Sequence, residues 1–140
     1  MTNRKLALIV KDQSPVVLDQ SSTVQDASRR MWDGCVGSVL VVDEAQRLVG
    51  IFTGRDAVKV VAGGCDPVTT RLADAMTRDP VTITPDKRAI DALHVMADGG
   101  FRHLPVVEGG RIRGIVSRGD FKGDELGQID VESHLWETLW

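Results

Sequence analysis

The chain carries one pattern twice, and this duplication constrains its fold more than any other feature of its 140 residues. The stretch from Pro15 to Asp56 matches the stretch from Pro80 to Asp120, apart from a one-residue deletion near Glu108. The identical pairs include Asp26/Asp91, Ala27/Ala92, Met31/Met96, Gly34/Gly99, Val41/Val106, Gly50/Gly114 and Ile51/Ile115. Each copy ends in a hydroxyl residue followed three positions later by an aspartate. Two such copies predict a pseudo-symmetric molecule with two related clefts.

The composition is that of a soluble globular protein, with 42% hydrophobic and 26% charged residues. The formal net charge of -3 disfavours non-specific nucleic-acid binding, which requires a basic face. No apolar run approaches the roughly 18 residues of a membrane span. The apolar stretch from Leu6 to Val10 is too short for a signal sequence. We therefore expect a cytoplasmic protein that does not enter the membrane.

Two cysteines, Cys35 and Cys65, are present, and they do not form a CxxC pair. Neither has a histidine near it in the sequence. A disulfide framework or a metal site is therefore not expected.

Each copy predicts the order strand, helix, strand, strand, helix. A short extended segment follows a proline in both copies, at 16–18 and at 81–83. The next helix is predicted to be capped by Ser22 or Thr23 in the first copy and by Asp86 in the second. Two β-rich runs then form a hairpin, and a second helix begins near Gly54. The predicted fold is α/β, with two pseudo-symmetric β-α-β-β-α repeats packed face to face.

The expected boundaries are repeat 1 at 9–65, a linker at 66–79, repeat 2 at 80–123 and a tail at 124–140. The linker is predicted to contain a short helix at 71–76. The tail has apolar residues at helical spacing, including Trp136 and Trp140, and predicts an amphipathic helix. Its tryptophans would either close the core or dock a second protein.

Three runs of residues resemble the signatures of cystathionine-β-synthase (CBS) domains. They are the segments 50–56 with its copy 114–120, 101–107, and 74–81. In this order and in duplicate, they resemble a tandem CBS pair, also called a Bateman module. The resemblance implies a stand-alone regulatory module that binds an adenosine-containing ligand in the cleft between its repeats. It also implies a homodimer, an effector protein as partner, and a role such as energy sensing.

The hydroxyl–aspartate motif has a physical logic of its own. At the end of a strand and the start of a helix, it places a hydroxyl and a carboxylate on one rim. A carboxylate accepts two hydrogen bonds at once, which suits the vicinal hydroxyls of a ribose. By resemblance, Asp56 and Asp120 would hold the ribose, with Thr53 and Ser117 beside it. The alternative is that both aspartates only stabilise the first turn of a helix.

A phosphate requires cationic donors. Related modules place basic contacts where Arg102 and His103 stand, and Arg55 and Arg118 lie inside the two motifs. The first copy has Gly37 and Ser38 in place of the Arg102–His103 pair, so one cleft is better equipped for phosphate. Alternatively, Arg102 forms a solvated or interdomain ion pair.

The adenine ring requires an apolar slot and backbone groups that read its edge. By resemblance, Val81, Ile83 and Pro105 would supply them. Such aliphatic positions serve equally well as core residues.

No catalytic motif is present, so an enzyme is not expected. The candidate ligands are AMP, ADP, ATP and S-adenosylmethionine, and no cofactor is required. The main alternative is a structural or interaction module that has kept the fold but binds no nucleotide. A nucleic-acid binder, suggested by the basic residues between Arg102 and Arg118, is a distant third hypothesis.

Overall fold

A computed structural model describes residues 3–121 of the chain. The predicted tail helix lies outside these residues. The chain divides into two compact units. We call Pro15–Pro80 the first unit; the second unit combines residues 3–14 with residues 81–121.

The described helices and strands form the predicted mixed α/β arrangement, and the order strand, helix, strand, strand, helix is complete in the first copy. In chain order they are α1 Leu6–Val10, β1 Val17–Asp19, α2 Val24–Gly34, β2 Ser38–Val42, β3 Leu48–Thr53, α3 Gly54–Ala62, α4 Leu72–Ala75, β4 Thr77–Arg78, α5 Ala89–Gly99, β5 His103–Glu108 and β6 Arg111–Ser117. A single 3₁₀ turn, Arg118–Asp120, follows β6.

The first unit is built on a four-stranded sheet in the order β1-β2-β3-β4. β1 runs parallel to β2, and the other neighbours are antiparallel. α2 is capped by Thr23, whose hydroxyl accepts a hydrogen bond from the Asp26 N–H at 3.1 Å. The apolar stripe of this helix packs with the inward side of the sheet and with α4, because its apolar residues recur at helical spacing. The buried core consists of Val24, Ala27, Met31, Val39, Val41, Phe52, Val60, Leu72 and Met76.

The second unit is built around the antiparallel hairpin of β5 and β6. The extended segment predicted at 81–83 is present only as a single parallel bridge between Ile83 and Val106. Its core consists of Leu6, Val10, Ile83, Ala89, Ala92, Leu93, Met96, Leu104, Val106, Val116 and Phe121.

The prediction that Asp86 caps the helix of the second copy was wrong. α5 begins at Ala89, and Arg88 is the capping position. The carboxylate of Asp86 is instead engaged by the hydroxyl of Thr84, which lowers the pKa of Asp86. The exposed N-terminus of α5 is stabilised by Asp91, whose Oδ2 accepts from the Arg88 N–H at 2.9 Å.

Residues 3–14, which we call the N-terminal arm, complete the core of the second unit. The Leu6 N–H donates to the Lys87 carbonyl at 2.8 Å, and the Ala89 N–H donates to the Arg4 carbonyl at 2.8 Å. The segment before the second copy makes the equivalent bonds in the first unit. There the Leu72 N–H reaches the Ser22 carbonyl at 2.8 Å, and the Val24 N–H reaches the Thr70 carbonyl at 2.9 Å. Each unit is therefore completed by the segment that precedes the other copy.

Within residues 3–121, no helix is long and apolar enough to cross a membrane.

Candidate functional site

The hydroxyl–aspartate motif of the first unit lies where β3 passes into α3. Oδ2 of Asp56 accepts from the Thr53 N–H at 2.9 Å and from the Thr53 hydroxyl at 3.2 Å. The Asp56 N–H donates back to Thr53 Oγ1 at 3.5 Å. This reciprocal arrangement is a capping box, which satisfies donors at the start of the helix.

The motif of the second unit has the same local geometry. Oδ2 of Asp120 accepts from the Ser117 N–H at 2.7 Å and from the Ser117 hydroxyl at 3.3 Å. β6 ends at Ser117, and the 3₁₀ turn carries Asp120. In both motifs, the described residues donate hydrogen bonds to Oδ2 and none to Oδ1. One carboxylate oxygen therefore holds the turn, while the other retains its capacity to accept from a ligand hydroxyl.

The Asp56 carboxylate is half-buried, and this affects its titration. Burial raises the pKa of Asp56, although the hydrogen bonds from Thr53 and the nearby charges of Lys59 and Arg55 act in the opposite direction. The effect of desolvation on the pKa of Asp56 thus exceeds the combined effect of these hydrogen bonds and charges. A group that donates hydrogen bonds to Asp56, such as a ribose hydroxyl, would compensate for part of this cost.

The two units differ beside the motif. In the first unit, Ser38 of β2 lies opposite Thr53 of β3. In the second unit, His103 of β5 lies opposite Ser117 of β6. Ser38 is buried, and no charge enters the first site from this position. At the equivalent point, the second unit places an imidazole next to its hydroxyl–aspartate turn.

His103 is electrostatically coupled to the motif. Burial lowers the pKa of His103, and the positive charge of Arg102 lowers it further, whereas the carboxylate of Asp120 acts to raise it. Two other side chains predicted from sequence, Arg102 and Asp120, are thus close enough to His103 for their charges to affect its pKa. Arg118, half-buried, lies on the same turn as Asp120.

The predicted adenine contacts divide into exposed and buried positions. Val81 is 53% exposed, whereas Ile83 and Pro105 are buried. The Ile83 N–H donates to the Pro105 carbonyl at 3.0 Å, so these two residues are neighbours. Ile83 belongs to the core of the second unit.

Thr53, Arg55 and Asp56 share one turn of the first unit, and Arg55 is exposed there. The other predicted site residues all belong to the second unit: Val81, Ile83, Arg102, His103, Pro105, Ser117, Arg118 and Asp120. Each unit therefore contains one complete motif.

Two polar residues of the N-terminal arm reach this region and were not predicted. The guanidinium of Arg4 donates to the Asp120 carbonyl oxygen at 2.8 Å. Oε1 of Gln13 accepts from the Ile115 N–H at 2.9 Å. A sequence signal for the arm exists, since Leu6-Ala7 before Pro15 corresponds to Leu72-Ala73 before Pro80.

Among residues 3–121, no cluster of three or more His, Cys, Asp or Glu side chains is arranged to hold a metal ion. Cys35 and Cys65 are both free and exposed.

Comparison with known sequences identifies the repeat. The family model described as "CBS domain" matches residues 9–63 and again residues 72–123. A CBS domain-containing protein of Arabidopsis thaliana is 44% identical over 98 residues. That match covers 69% of this chain but 18% of the plant protein, so the relative is much longer.

Solved structures agree with the sequence comparison. The crystal structure of a CBS-domain containing protein from Agrobacterium tumefaciens has a TM-score of 0.78 and 32% identity, covering 86% of this chain and 91% of that one. A CBS domain protein from Pyrobaculum aerophilum, solved in complex with AMP, shares the fold with a TM-score of 0.82 at 20% identity. It covers 91% of this chain and 99% of its own. The two family matches span most of the sequence, and this chain therefore belongs to the CBS-domain family as a tandem pair of CBS domains.

Proposed function

We propose that this protein is a regulatory module that binds an adenosine-containing ligand at its hydroxyl–aspartate turns and passes the binding event to a partner protein. The observation that carries the proposal is the arrangement of the two aspartates. In both units Oδ2 holds the turn while Oδ1 receives no hydrogen bond from the described residues. A preorganised acceptor of this kind suits the 2′ and 3′ hydroxyls of a ribose.

The ligand class is supported by related structures. The Pyrobaculum protein was solved with AMP, and another CBS domain pair was solved with 5′-methylthioadenosine and S-adenosyl-L-methionine. All three ligands contain adenosine. We propose AMP, ADP, ATP or S-adenosylmethionine for this chain. Competition between AMP and ATP would make the module a sensor of adenylate energy state.

The second unit is the better candidate for a phosphorylated ligand. Arg102 and Asp120 are close enough to His103 to affect its pKa, and Arg118 lies within the Asp120 turn, whereas Ser38 stands in place of His103 in the first unit. We propose that Asp120 and Ser117 contact the ribose and that Arg102 contacts the phosphate. Val81, with backbone groups near Ile83 and Pro105, would receive the adenine. Thr53, Arg55 and Asp56 would form the corresponding, weaker phosphate site.

Contact with protein partners is supported by an apolar surface on the first unit. Trp32 of α2 is 84% exposed, and Val58 and Val61 of α3 are 63% and 73% exposed. Large exposed apolar side chains on neighbouring helices are typical of protein interfaces. We propose a homodimer and a separate effector protein, and a regulatory rather than a catalytic role.

One observation favours the alternative, a structural module that binds no nucleotide. Asp56 and Asp120 already have a local role, since each caps its own turn. Asp26 and Asp91 cap α2 and α5 in the same way and belong to no candidate site. Capping alone therefore accounts for an aspartate at this position.

Calorimetric titration with AMP, ADP, ATP and S-adenosylmethionine tests the proposal. The wild type should bind at least one of them, and Asp120→Ala should weaken that binding by about tenfold or more, because a charged hydrogen bond contributes about 1.5–3 kcal/mol. Asp91→Ala is the matched control, since it removes a capping carboxylate of the second unit that lies outside the site. Asp56→Ala and Asp26→Ala form the same pair in the first unit.

Equal losses of affinity in Asp120→Ala and Asp91→Ala would show that only folding was disturbed. A folded wild type that binds none of the four ligands would establish the structural alternative.

A further inference from the structure

The backbone carbonyl of Asp120 is bound by a residue from the other end of the chain. The Arg4 guanidinium donates to this carbonyl at 2.8 Å, across a sequence separation of 116 residues, in a partly buried position. The same residue, Asp120, carries the carboxylate that we propose as the ribose contact. The N-terminal arm therefore contacts the candidate site directly at its backbone.

The equivalent aspartate of the first unit needs no such contact. Asp56 lies in the first turn of α3, which continues to Ala62. Inside an α-helix, a carbonyl accepts from the N–H four residues later. The turn that carries Asp120 ends at once, because Phe121 has extended backbone angles of φ -98 and ψ 147. In the second unit, the guanidinium of Arg4 takes the place of that helical donor, as buried carbonyls require partners.

The arm holds Arg4 in position through its own backbone. The Ala89 N–H donates to the Arg4 carbonyl, and the Leu6 N–H donates to the Lys87 carbonyl, both at 2.8 Å. Leu6 is fully buried in the core of the second unit. The guanidinium is therefore directed at the turn from a fixed base. At the equivalent position the first unit has Thr70, which has a short side chain. An arginine is not needed there, because the longer helix α3 follows Asp56.

We infer that Arg4 is a positioning residue of the second unit's ligand site. It fixes the 3₁₀ turn through the Asp120 carbonyl and thereby sets the place of the Asp120 carboxylate. Ligand affinity in this unit then depends on whether the N-terminal arm is docked, which the first unit's site does not require. The effect of Arg4 on ligand affinity rests on the proposed function, whereas its effect on the turn does not depend on any ligand.

Amide hydrogen exchange of the ligand-free protein tests the effect on the turn. In Arg4→Ala, the Ser117 and Phe121 amides should exchange about tenfold faster, because their bonds to Asp120 Oδ2 and to the Arg118 carbonyl depend on the turn. The Thr53 amide of the first unit should be unchanged. Arg88→Ala is the matched control: it removes one contact of the arm, the bond from its guanidinium to the Asn3 carbonyl at 3.0 Å, while the backbone bonds of Leu6 and Ala89 keep the arm docked. Unchanged exchange at Ser117 and Phe121 in Arg4→Ala would overturn the inference.

Calorimetry with AMP tests the effect on affinity. The Asp56→Ala background confines the measurement to the second unit. There, Arg4→Ala should weaken AMP binding about tenfold, Arg4→Lys should recover part of the loss, and Arg88→Ala should bind as the background does. Equal affinity in Arg4→Ala and the background would overturn the inference. Failure of the wild type itself to bind AMP counts against the proposed function instead, and the exchange measurement then decides the role of Arg4.

Discussion

The two copies have different residues at some equivalent positions, and one of these is the position that ends a helix. Cys35 ends α2 with a positive φ of 52, in the left-handed region that most side chains avoid. Its counterpart, Gly100, ends α5 with φ 71. Glycine adopts this conformation without steric cost, so the first copy carries a strained residue where the second does not.

Replacing Cys35 by glycine should therefore stabilise the protein. We expect Cys35→Gly to raise the free energy of unfolding by about 1 kcal/mol, since the strain of the left-handed conformation is removed. Cys35→Ala keeps the β-carbon and is the control for loss of the thiol. Denaturant unfolding measures both variants, and equal stabilities for the two would show that the β-carbon is not the source of strain.

His103 should make stability depend on pH. Because burial lowers the pKa of His103 below its ordinary value of 6.5, the unfolded chain binds a proton before the folded chain does. As the pH falls through about 6.5, the unfolded state gains stability relative to the folded state. The loss of folding stability is complete once the pH passes below the lowered pKa.

His103→Ser, which copies Ser38 of the first unit, should remove this part of the pH dependence. Unfolding free energies measured between about pH 7.5 and pH 5 would reveal it. His94→Ser, which removes an exposed imidazole from the same unit, is the matched control. The same slope in all three proteins would contradict the role given to His103.

At the scale of elements, an aspartate three residues after a capping position recurs four times among residues 3–121. Asp26, Asp56, Asp91 and Asp120 each accept a hydrogen bond from the N–H of the capping position. Sequence patterns predicted the turns at Asp56 and Asp120 because a hydroxyl residue precedes each of them. They failed at α5, where Arg88 stands at the capping position and Asp86 offered a false signal. Local sequence preference does not show that the Asp86 carboxylate is already hydrogen-bonded to Thr84.

The N-terminal arm was the element most difficult to predict. Its five-residue helix α1 is too short to be stable alone, and its stability comes from packing in the core of the second unit. Leu6→Ala should therefore lower the free energy of unfolding by about 3 kcal/mol, as large-to-small core substitutions do. Leu8→Ala is the matched control on the same helix, because Leu8 is 58% exposed and should change stability by less than about 0.5 kcal/mol.

Chemical denaturation, followed by far-ultraviolet circular dichroism, would compare the free energies of unfolding of the two leucine variants. A Leu6→Ala protein as stable as Leu8→Ala would mean that the arm does not contribute to the core.

At the scale of the whole molecule, the duplicated sequence predicted the mixed α/β architecture, the family and the two hydroxyl–aspartate turns. It did not predict which segments of chain complete each unit. The periodicity of 3.6 or 2 residues identifies a helix or a strand, but it carries no information on the partner of an apolar face. The bond from Arg4 to Asp120 joins opposite ends of the described chain, and only the three-dimensional arrangement reveals it.

The exchange of segments between the copies has a consequence for folding during synthesis. The first unit is one continuous stretch, Pro15–Pro80, and has all its partners once that stretch has left the ribosome. The second unit must join its N-terminal arm to a hairpin made much later, so Leu6 and Val10 are synthesised before the first unit but buried after it. Closing that long loop slows the second unit relative to the first. The two copies are therefore expected to fold in two unequal steps, because the N-terminal arm is buried only after the hairpin of β5 and β6 has formed.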